Sequence, residues 1–254
     1  MSNEYAETRE FRGASFRQVD LTGARIRDSD LSGVRIASSQ VDDLRITGFD
    51  GQAGKVVVDD VEVTDFVKSE LDRRYPERVQ FRSATTADDY RAVWDLLERL
   101  WSETIERAQQ LPESSRHERV DDEWSFVETL RHLIFGIDIW VGRMILGEQE
   151  PFHRLGLPTT DCAPAEAADL GLDPGAATSF DEVVAEYSKQ AARVRDAVAA
   201  VTDDQLEQTR TAPLGHPSWG EETNSVAESL RVVLNEHLEH RRFAVRDLAV
   251  LEGR

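Results

Sequence analysis

The stretch "WSFVETLRHLIFGIDIWVGRMILG", residues 124–147, decides the fold, because it is apolar on nearly every side at helical spacing. It opens with the capping box "SFVE" and its pattern stops at Gly147, which predicts a helix between them. A helix that is apolar all round is a central one, buried against several neighbours. Its main stripe and its second apolar face comprise Phe126, Leu130, Leu133, Ile134, Ile137, Val141 and Met144, and then Phe135, Ile139 and Trp140.

Three further segments after residue 80 show the same helical period, which predicts a four-helix bundle. The first covers about residues 87–110, after an N-cap at Thr85-Thr86. The others cover about 179–200 and about 223–251 and open with the capping boxes "SFDE" and "SVAE". The connection 148–178 is long enough for a crossover, so consecutive helices need not be adjacent. Residues 209–222 are predicted to form a shorter loop.

The first fifty residues follow a different period. "FRGASFRQVDLTGARIRDSDLSGVRIASSQVDDLRITGFD", residues 11–50, has an apolar residue at every fifth position, which fits neither a helix nor a strand. Residues 9–48 resemble the pentapeptide-repeat family, and this resemblance implies a short, square, right-handed β-helix with these side chains pointing inward. Two coils of this kind need a neighbour or a second copy to cover their ends. The eight positions are Phe11, Phe16, Leu21, Ile26, Leu31, Ile36, Val41 and Ile46.

Short elements are predicted between the repeat and the bundle. Residues 56–58 and 61–63 favour two strands, and residues 64–75 favour a helix. The side chains expected to face inward from this helix are Phe66, Val67 and Leu71. The predicted fold class is therefore a multidomain α+β protein that is mainly α. Its predicted parts are a pentapeptide-repeat β-helix with short strands at 1–63, a connecting helix and linker at 64–85, and a four-helix bundle at 86–254.

The composition argues against several classes of function. The net charge is −19, from 49 acidic and 30 basic residues, which argues against a nucleic-acid binder. The apolar runs stay well short of the roughly 20 residues that span a bilayer, so no membrane segment is expected. The single cysteine, Cys162, excludes an intramolecular disulfide. We therefore expect a cytoplasmic protein with a small-molecule or protein partner, the latter including a second copy in a homodimer.

The last predicted helix carries three residues that can bind a metal or move a proton. In "LNEHLEHRRFAVRDL", residues 234–248, they are Glu236, His237 and His240. On a helical wheel His237 falls within the apolar stripe, His240 at its edge and Glu236 just beyond it. Glu236 and His240, at i and i+4, can grip one metal ion, and His237 with His240 is the alternative pair. A third ligand must come from another helix, and His132 lies on the second buried face of 124–147.

The stretches "WSFVETLRHLIFGIDIWVGR" and "LNEHLEHRRFAVRDL" together resemble the DinB-like superfamily, over residues 86–251. These proteins are metal-binding four-helix bundles that include mycothiol-dependent maleylpyruvate isomerases and other thiol-dependent transferases. The resemblance implies that His132, Glu236 and His240 are the metal ligands, followed by Arg241. It also implies a divalent metal, zinc or nickel, and a low-molecular-weight thiol such as mycothiol. Whether His237 replaces Glu236 as a ligand stays open.

Three functions are compatible with these residues. The first is a metal-dependent S-transferase or isomerase that uses a thiol against a small electrophile. The second is a metal-dependent hydrolase, which would need His237 or Glu239 as its general base. The third is a non-catalytic binding or assembly module, with a structural metal or none, whose β-helix mediates dimerisation or docking. A deep cavity at the histidines would favour an enzyme, whereas a filled core with an exposed apolar patch would favour the module.

Weaker candidates lie in the loops and near the helix starts. The tryptophans among them are predicted as packing anchors or substrate walls. Asp138 and Arg143 are predicted to contact a ligand or the solvent, and His117 to be solvated. His153 and His216 are predicted to be loop residues beside prolines, with the lining of a pocket mouth as the alternative. The cysteine lies in a linker without a charged group to stabilise a thiolate, so it is not expected to be a nucleophile. The full set is Trp124, Trp219, Asp138, Arg143, His117, His153, His216 and Cys162.

Overall fold

The computed structural model describes residues 5–27, 29–48, 54–121, 123–160 and 162–254. Within these ranges a small hairpin and short helices lead into four long helices, and a second hairpin precedes the last of them. No helix in the described ranges is long and apolar enough to cross a bilayer. The elements are β1 (Val57–Val58), β2 (Val61–Glu62), α1 (Thr64–Arg74), α2 (Glu77–Ser83), α3 (Ala87–Gln109), α4 (Glu113–Arg116), α5 (Phe126–Ile137), a π-helix (Asp138–Leu146), α6 (Pro164–Asp169), α7 (Phe180–Ala200), α8 (Asp203–Leu206), β3 (Thr209–Pro213), a 3₁₀ turn (Pro217–Trp219), β4 (Glu221–Ser225) and α9 (Val226–Glu252).

The long helices α3, α5, α7 and α9 pack as a bundle in the cyclic order α3, α7, α5, α9. The pairs joined by the shorter connections, α3 with α5 and α7 with α9, are therefore diagonal, while 148–178 joins two neighbours. The predicted apolar stripes meet in one core. Its fully buried members include Trp94, Leu97, Trp101, Leu130, Leu133, Ile134, Phe180, Val183, Val194, Leu230, Val233 and Leu234, each at most 1% exposed.

The predicted helix starts are largely confirmed by their caps. Thr86, Ser125 and Ser225 each accept a hydrogen bond from the N–H three residues later, and the carboxylate at that position accepts one from the cap N–H. In the box "SFDE", only half of this pattern forms. Ser179 accepts from the Glu182 N–H, but the Glu182 carboxylate accepts from an arginine in the preceding connection instead.

The prediction of a loop at 209–222 is wrong. β3 and β4 pair antiparallel, with Thr209 opposite Ser225 and the hydroxyl groups of Thr211 and Thr223 2.6 Å apart across the strands. Because β4 continues to Ser225, α9 begins at Val226 and not near residue 223.

The connection 148–178, which we call the strap, packs over the second apolar face of α5. It buries Phe135 and Ile139 in a small second core. The buried Arg131 side chain holds it in place by donating hydrogen bonds to the carbonyls of Leu155 at 2.9 Å and Asp173 at 2.6 Å. The strap therefore explains why the sequence of α5 is apolar all round.

The repeat segment has a backbone with the predicted five-residue period. Left-handed φ angles between 52° and 77° recur at Gly13, Gln18, Gly23, Gly33, Ser38 and Asp43. The described residues between 5 and 48 contain no assigned strand, so the right-handed β-helix stays a prediction. The eight apolar side chains are 40% to 64% exposed and do not form the expected inward-packed row. Two coils are too few to cover their own interior, because each coil of a solenoid is buried by its neighbours.

The connecting elements are close to the prediction, except for one helix face. β1 pairs with β2, and α1 ends at Arg74. Phe66 and Val67 do not face inward, since Phe66 is 74% exposed and Val67 is also exposed. Within the described ranges α1 makes its main contact with α2, so little surface covers the rest of this helix. The predicted boundaries at 63 and 85 remain predictions.

Candidate metal centre

The bundle brings His132, Glu236 and His240 together. His132 lies on α5, while Glu236 and His240 lie one turn apart on α9. Glu236 Oε2 is 3.0 Å from Nε2 of His240 and 3.4 Å from Nε2 of His132. One ligand atom from each residue lies within 4.8 Å of the other two. We call these residues the α5–α9 cluster; His132 is buried, whereas Glu236 and His240 are half-buried, which leaves one side open.

The strap sets the orientation of the His132 imidazole. An N–H at Nδ1 donates to the carbonyl of Leu157 at 3.0 Å, which leaves the Nε2 lone pair directed at the cluster. Leu157 is held in turn, because its own N–H donates to the Arg131 carbonyl at 3.0 Å. Metal-binding histidines commonly donate their second ring N–H in this way. The sequence did not reveal this partner, because a backbone carbonyl leaves no residue pattern.

The electrostatics of the cluster favour metal ligation. Burial lowers the pKa of His132 below its ordinary value, although contact with Glu236 opposes the shift. Burial disfavours the Glu236 carboxylate, but its contacts with His132 and His240 outweigh this and lower its pKa. An ionised carboxylate therefore faces a neutral imidazole at neutral pH, and these are the protonation states in which the two side chains bind metals.

The spacing of the donor atoms fits a divalent metal. Zinc bonds to histidine nitrogen and carboxylate oxygen are about 2.0 to 2.2 Å long, so two ligands on one tetrahedral ion are roughly 3.3 to 3.6 Å apart. The separations of 3.0 and 3.4 Å from Glu236 Oε2 require only a small adjustment. Two imidazoles and one carboxylate suit zinc and nickel. Three protein ligands also leave a coordination position free.

Trp124 forms one wall of the cluster. Its ring centroid lies 4.4 Å from that of His132 and 5.8 Å from that of His240, onto which it stacks. A cavity beside Trp124, between α5 and α9, has a volume of about 10 Å³, which is room for about one water molecule. The indole ring of Trp124 therefore lies in close contact with both imidazoles and does not line a wide pocket.

Comparison with known families agrees with this geometry. The family model for the DinB superfamily matches residues 96–244, more than half of the chain. The chain belongs to the DinB superfamily. A model for pentapeptide repeats matches residues 10–36, with eight copies, which confirms the repeat at the N-terminus. A comparison with curated proteins finds no match to this chain. The DinB match includes all three residues of the α5–α9 cluster.

His237 lies outside the cluster of the DinB domain. It is fully buried between the rings of Trp94, Trp101 and Tyr187, at centroid distances of 5.0, 6.4 and 6.0 Å. Its Nδ1 lies 2.6 Å from the carbonyl of Val233, and its Nε2 has no hydrogen-bond partner among the residues that the structure describes. Burial lowers the pKa of His237 to about 4, so it is a neutral core residue.

The residues beside the cluster on α9 are engaged elsewhere. Arg241 donates to the carbonyl of Leu100 and to Glu77, which lie on α3 and α2. Glu239 is buried and pairs with Arg78 and Arg242. Neither of the two bases considered for a hydrolase is therefore available, because His237 is in the core and Glu239 is in ion pairs.

The remaining loop candidates do not join the cluster either. His117 is paired with Glu113, and His153 Nε2 lies 3.6 Å from a glutamate of α7. His216 contacts Ser218 and an aspartate at the end of α6. Trp219 is a packing anchor, since it packs on the second core, and its indole N–H donates to a glutamate of α6. Cys162 packs against the same core.

Asp138 and Arg143 lie on the π-helix. Asp138 is fully buried, accepts from the N–H of His153 at 2.8 Å and contacts Arg193 at 3.2 Å, so it is structural. Arg143 lies over the ring of Phe152, 5.4 Å from its centroid. π-Helical turns often occur near functional sites.

Replacing Asp138 by asparagine should alter how stability depends on pH. Burial raises the pKa of Asp138 to about 7, so the folded chain retains a proton that the unfolded chain loses near pH 4. Wild-type stability therefore falls between about pH 4 and pH 7. We expect Asp138→Asn to gain about 2 to 4 kcal/mol relative to wild type over this interval, measured by urea unfolding.

The control is Asp196→Asn, which removes the same charge from an exposed position of α7. A stability difference between Asp138→Asn and wild type that is constant with pH would contradict the raised pKa.

Proposed function

We propose that the DinB domain is a metal-dependent enzyme, an S-transferase or isomerase that uses a low-molecular-weight thiol against a small electrophile. The α5–α9 cluster supports the proposal, because its three donors converge and leave one side open. A divalent metal held by three protein ligands supplies a position where a thiol loses its proton and becomes nucleophilic near neutral pH. Zinc is the first candidate metal and nickel the second. Mycothiol is the candidate thiol from the resemblance to the isomerases.

The residues of the chain have separate roles in this proposal. His132 is held rigidly through Leu157, so it provides a fixed ligand. Glu236 supplies the negative charge, and its carboxylate contacts the imidazoles of both histidines. His240 is more exposed and lies at the open side. The indole of Trp124 offers a flat apolar face that excludes water and can contact the thiol or the substrate.

The decisive experiment is a titration of the cobalt-substituted protein with mycothiol, followed by the ligand-field bands. Binding of a thiolate sulfur is expected to shift and intensify these bands. Trp124→Phe, which retains an apolar face, is expected to retain the change. His240→Ala is the matched control, because it should lack the cobalt site itself. Bands that stay unchanged at saturating thiol would contradict the proposal.

The second candidate is a binding or assembly module with a structural metal. Two observations favour it: Trp124 covers the imidazoles closely, and the apolar row of the repeat segment is exposed. In this case the repeat segment would mediate homodimerisation. The same cobalt protein would then show no response to thiol, while removal of the metal would lower the temperature of unfolding.

A further inference from the structure

A second cavity lies at the other end of α5, where the π-helix meets β3. Its volume is about 170 Å³, and its walls include Arg143 and Gly147 from the π-helix end and Arg210 and Thr211 from β3. For comparison, a cavity of about 150 Å³ holds a benzene molecule. The residues of the α5–α9 cluster do not contribute to this cavity, so it is a separate site.

Arg143 is a half-buried cation that has no carboxylate partner among the described residues. Its Nε is buried and has no hydrogen-bond partner, and its guanidinium contacts only the ring of Phe152 among the described residues. Burial alone lowers its pKa. The neighbouring Arg193, in contrast, is paired with Glu148 and Asp138. Partial burial of a guanidinium without a counter-ion costs free energy, which an anion beside Arg143 would offset.

Arg210 faces the same cavity and has no ion pair in the described part of the chain. Its Nε donates to the Met144 carbonyl at 3.1 Å, near the helix end, where a cation is favourable. Gly147, at φ 76°, lets the guanidinium come close, since a Cβ there would lie 2.5 to 2.9 Å from its atoms. The helix end accounts for one N–H of Arg210 and leaves the other guanidinium donors for a ligand.

We propose that this cavity binds a small oxyanion, the carboxylate or phosphate group of a small molecule, between Arg143 and Arg210. Guanidinium groups match both anions through paired, charge-assisted hydrogen bonds. Glu148 also lies at the wall, but its charge is compensated by Arg193. In a chain with a net charge of −19, two arginines at one cavity, without carboxylate partners in the described ranges, favour the binding of an anion there.

The test measures binding of inorganic phosphate and of succinate to the full-length protein by calorimetry and thermal unfolding, with sodium chloride at equal ionic strength as reference. At least one of the two anions should bind and raise the unfolding temperature above the chloride reference. The difference between phosphate and succinate shows whether the cavity prefers a phosphate or a carboxylate group. Arg143→Gln and Arg210→Gln should each weaken binding about tenfold or more. Arg195→Gln removes the same charge from an exposed pair with Glu98 and should bind as wild type does.

Two further variants separate the alternatives. Arg143→Lys retains the charge but loses the paired guanidinium donors. It should therefore also bind the anion more weakly than the wild type does. His240→Ala should retain anion binding, which distinguishes this cavity from the metal centre. Equal effects of phosphate, succinate and chloride, or undiminished binding in both arginine variants, would overturn the proposal.

Discussion

Replacing His132 by alanine is expected to lower the affinity for zinc by at least ~100-fold. The reason is that His132 is the one residue that α5 contributes to the α5–α9 cluster as defined in the described ranges, and its ring is already fixed by Leu157. Loss of partners that merely orient a ligand costs about 10- to 100-fold, so loss of a ligand costs more. Metal content is measured by elemental analysis of untagged protein, and affinity by competition with a chelator. Wild type should hold about one metal per chain.

His117→Ala is the matched control for this change. His117 lies on the surface beside Glu113 and outside the cluster, so metal content should not change. His240→Ala should behave like His132→Ala. If wild type takes up neither zinc nor nickel on incubation, or if His132→Ala binds as wild type does, the three residues form a hydrogen-bonded polar contact between α5 and α9 and not a metal centre.

Much of the arrangement of the α5–α9 cluster could be predicted from local sequence patterns. The continuous apolar character of residues 124–147 indicated a helix covered on two faces, and the structure shows His132 buried on the second face. The i, i+4 spacing of Glu236 and His240 was enough to place both at one edge of the bundle. Helical periodicity carries this information because it determines which side chains share a face.

Other features depend on contacts that sequence patterns do not encode. The strap places the Leu157 carbonyl at His132 through backbone hydrogen bonds, which any residue can make. The β3–β4 hairpin was missed because its strands are short and polar, and the turn between them contains one proline and two glycines. The five-residue period was correct, yet it could not reveal that its apolar side chains remain exposed.

Replacing His237 by alanine is expected to lower the free energy of unfolding by about 2 to 4 kcal/mol and to leave the metal content unchanged. His237 fills the core between Trp94 and Trp101, and its Nδ1 bonds to the Val233 carbonyl. Truncation leaves a cavity and removes that bond. Unfolding in urea with a chelator present measures the packing effect without a contribution from metal binding.

His237→Leu separates packing from polar effects. Leucine fills most of the same space, and it removes the Nε2 atom, for which the described part of the chain provides no hydrogen-bond partner. We therefore expect a smaller loss, under about 1.5 kcal/mol. If a folded His237→Ala protein instead loses its metal, His237 replaces Glu236 as the ligand on α9.

Glu236→Gln should weaken metal binding strongly if the assignment to Glu236 is right, because the amide is a poorer ligand and carries no charge.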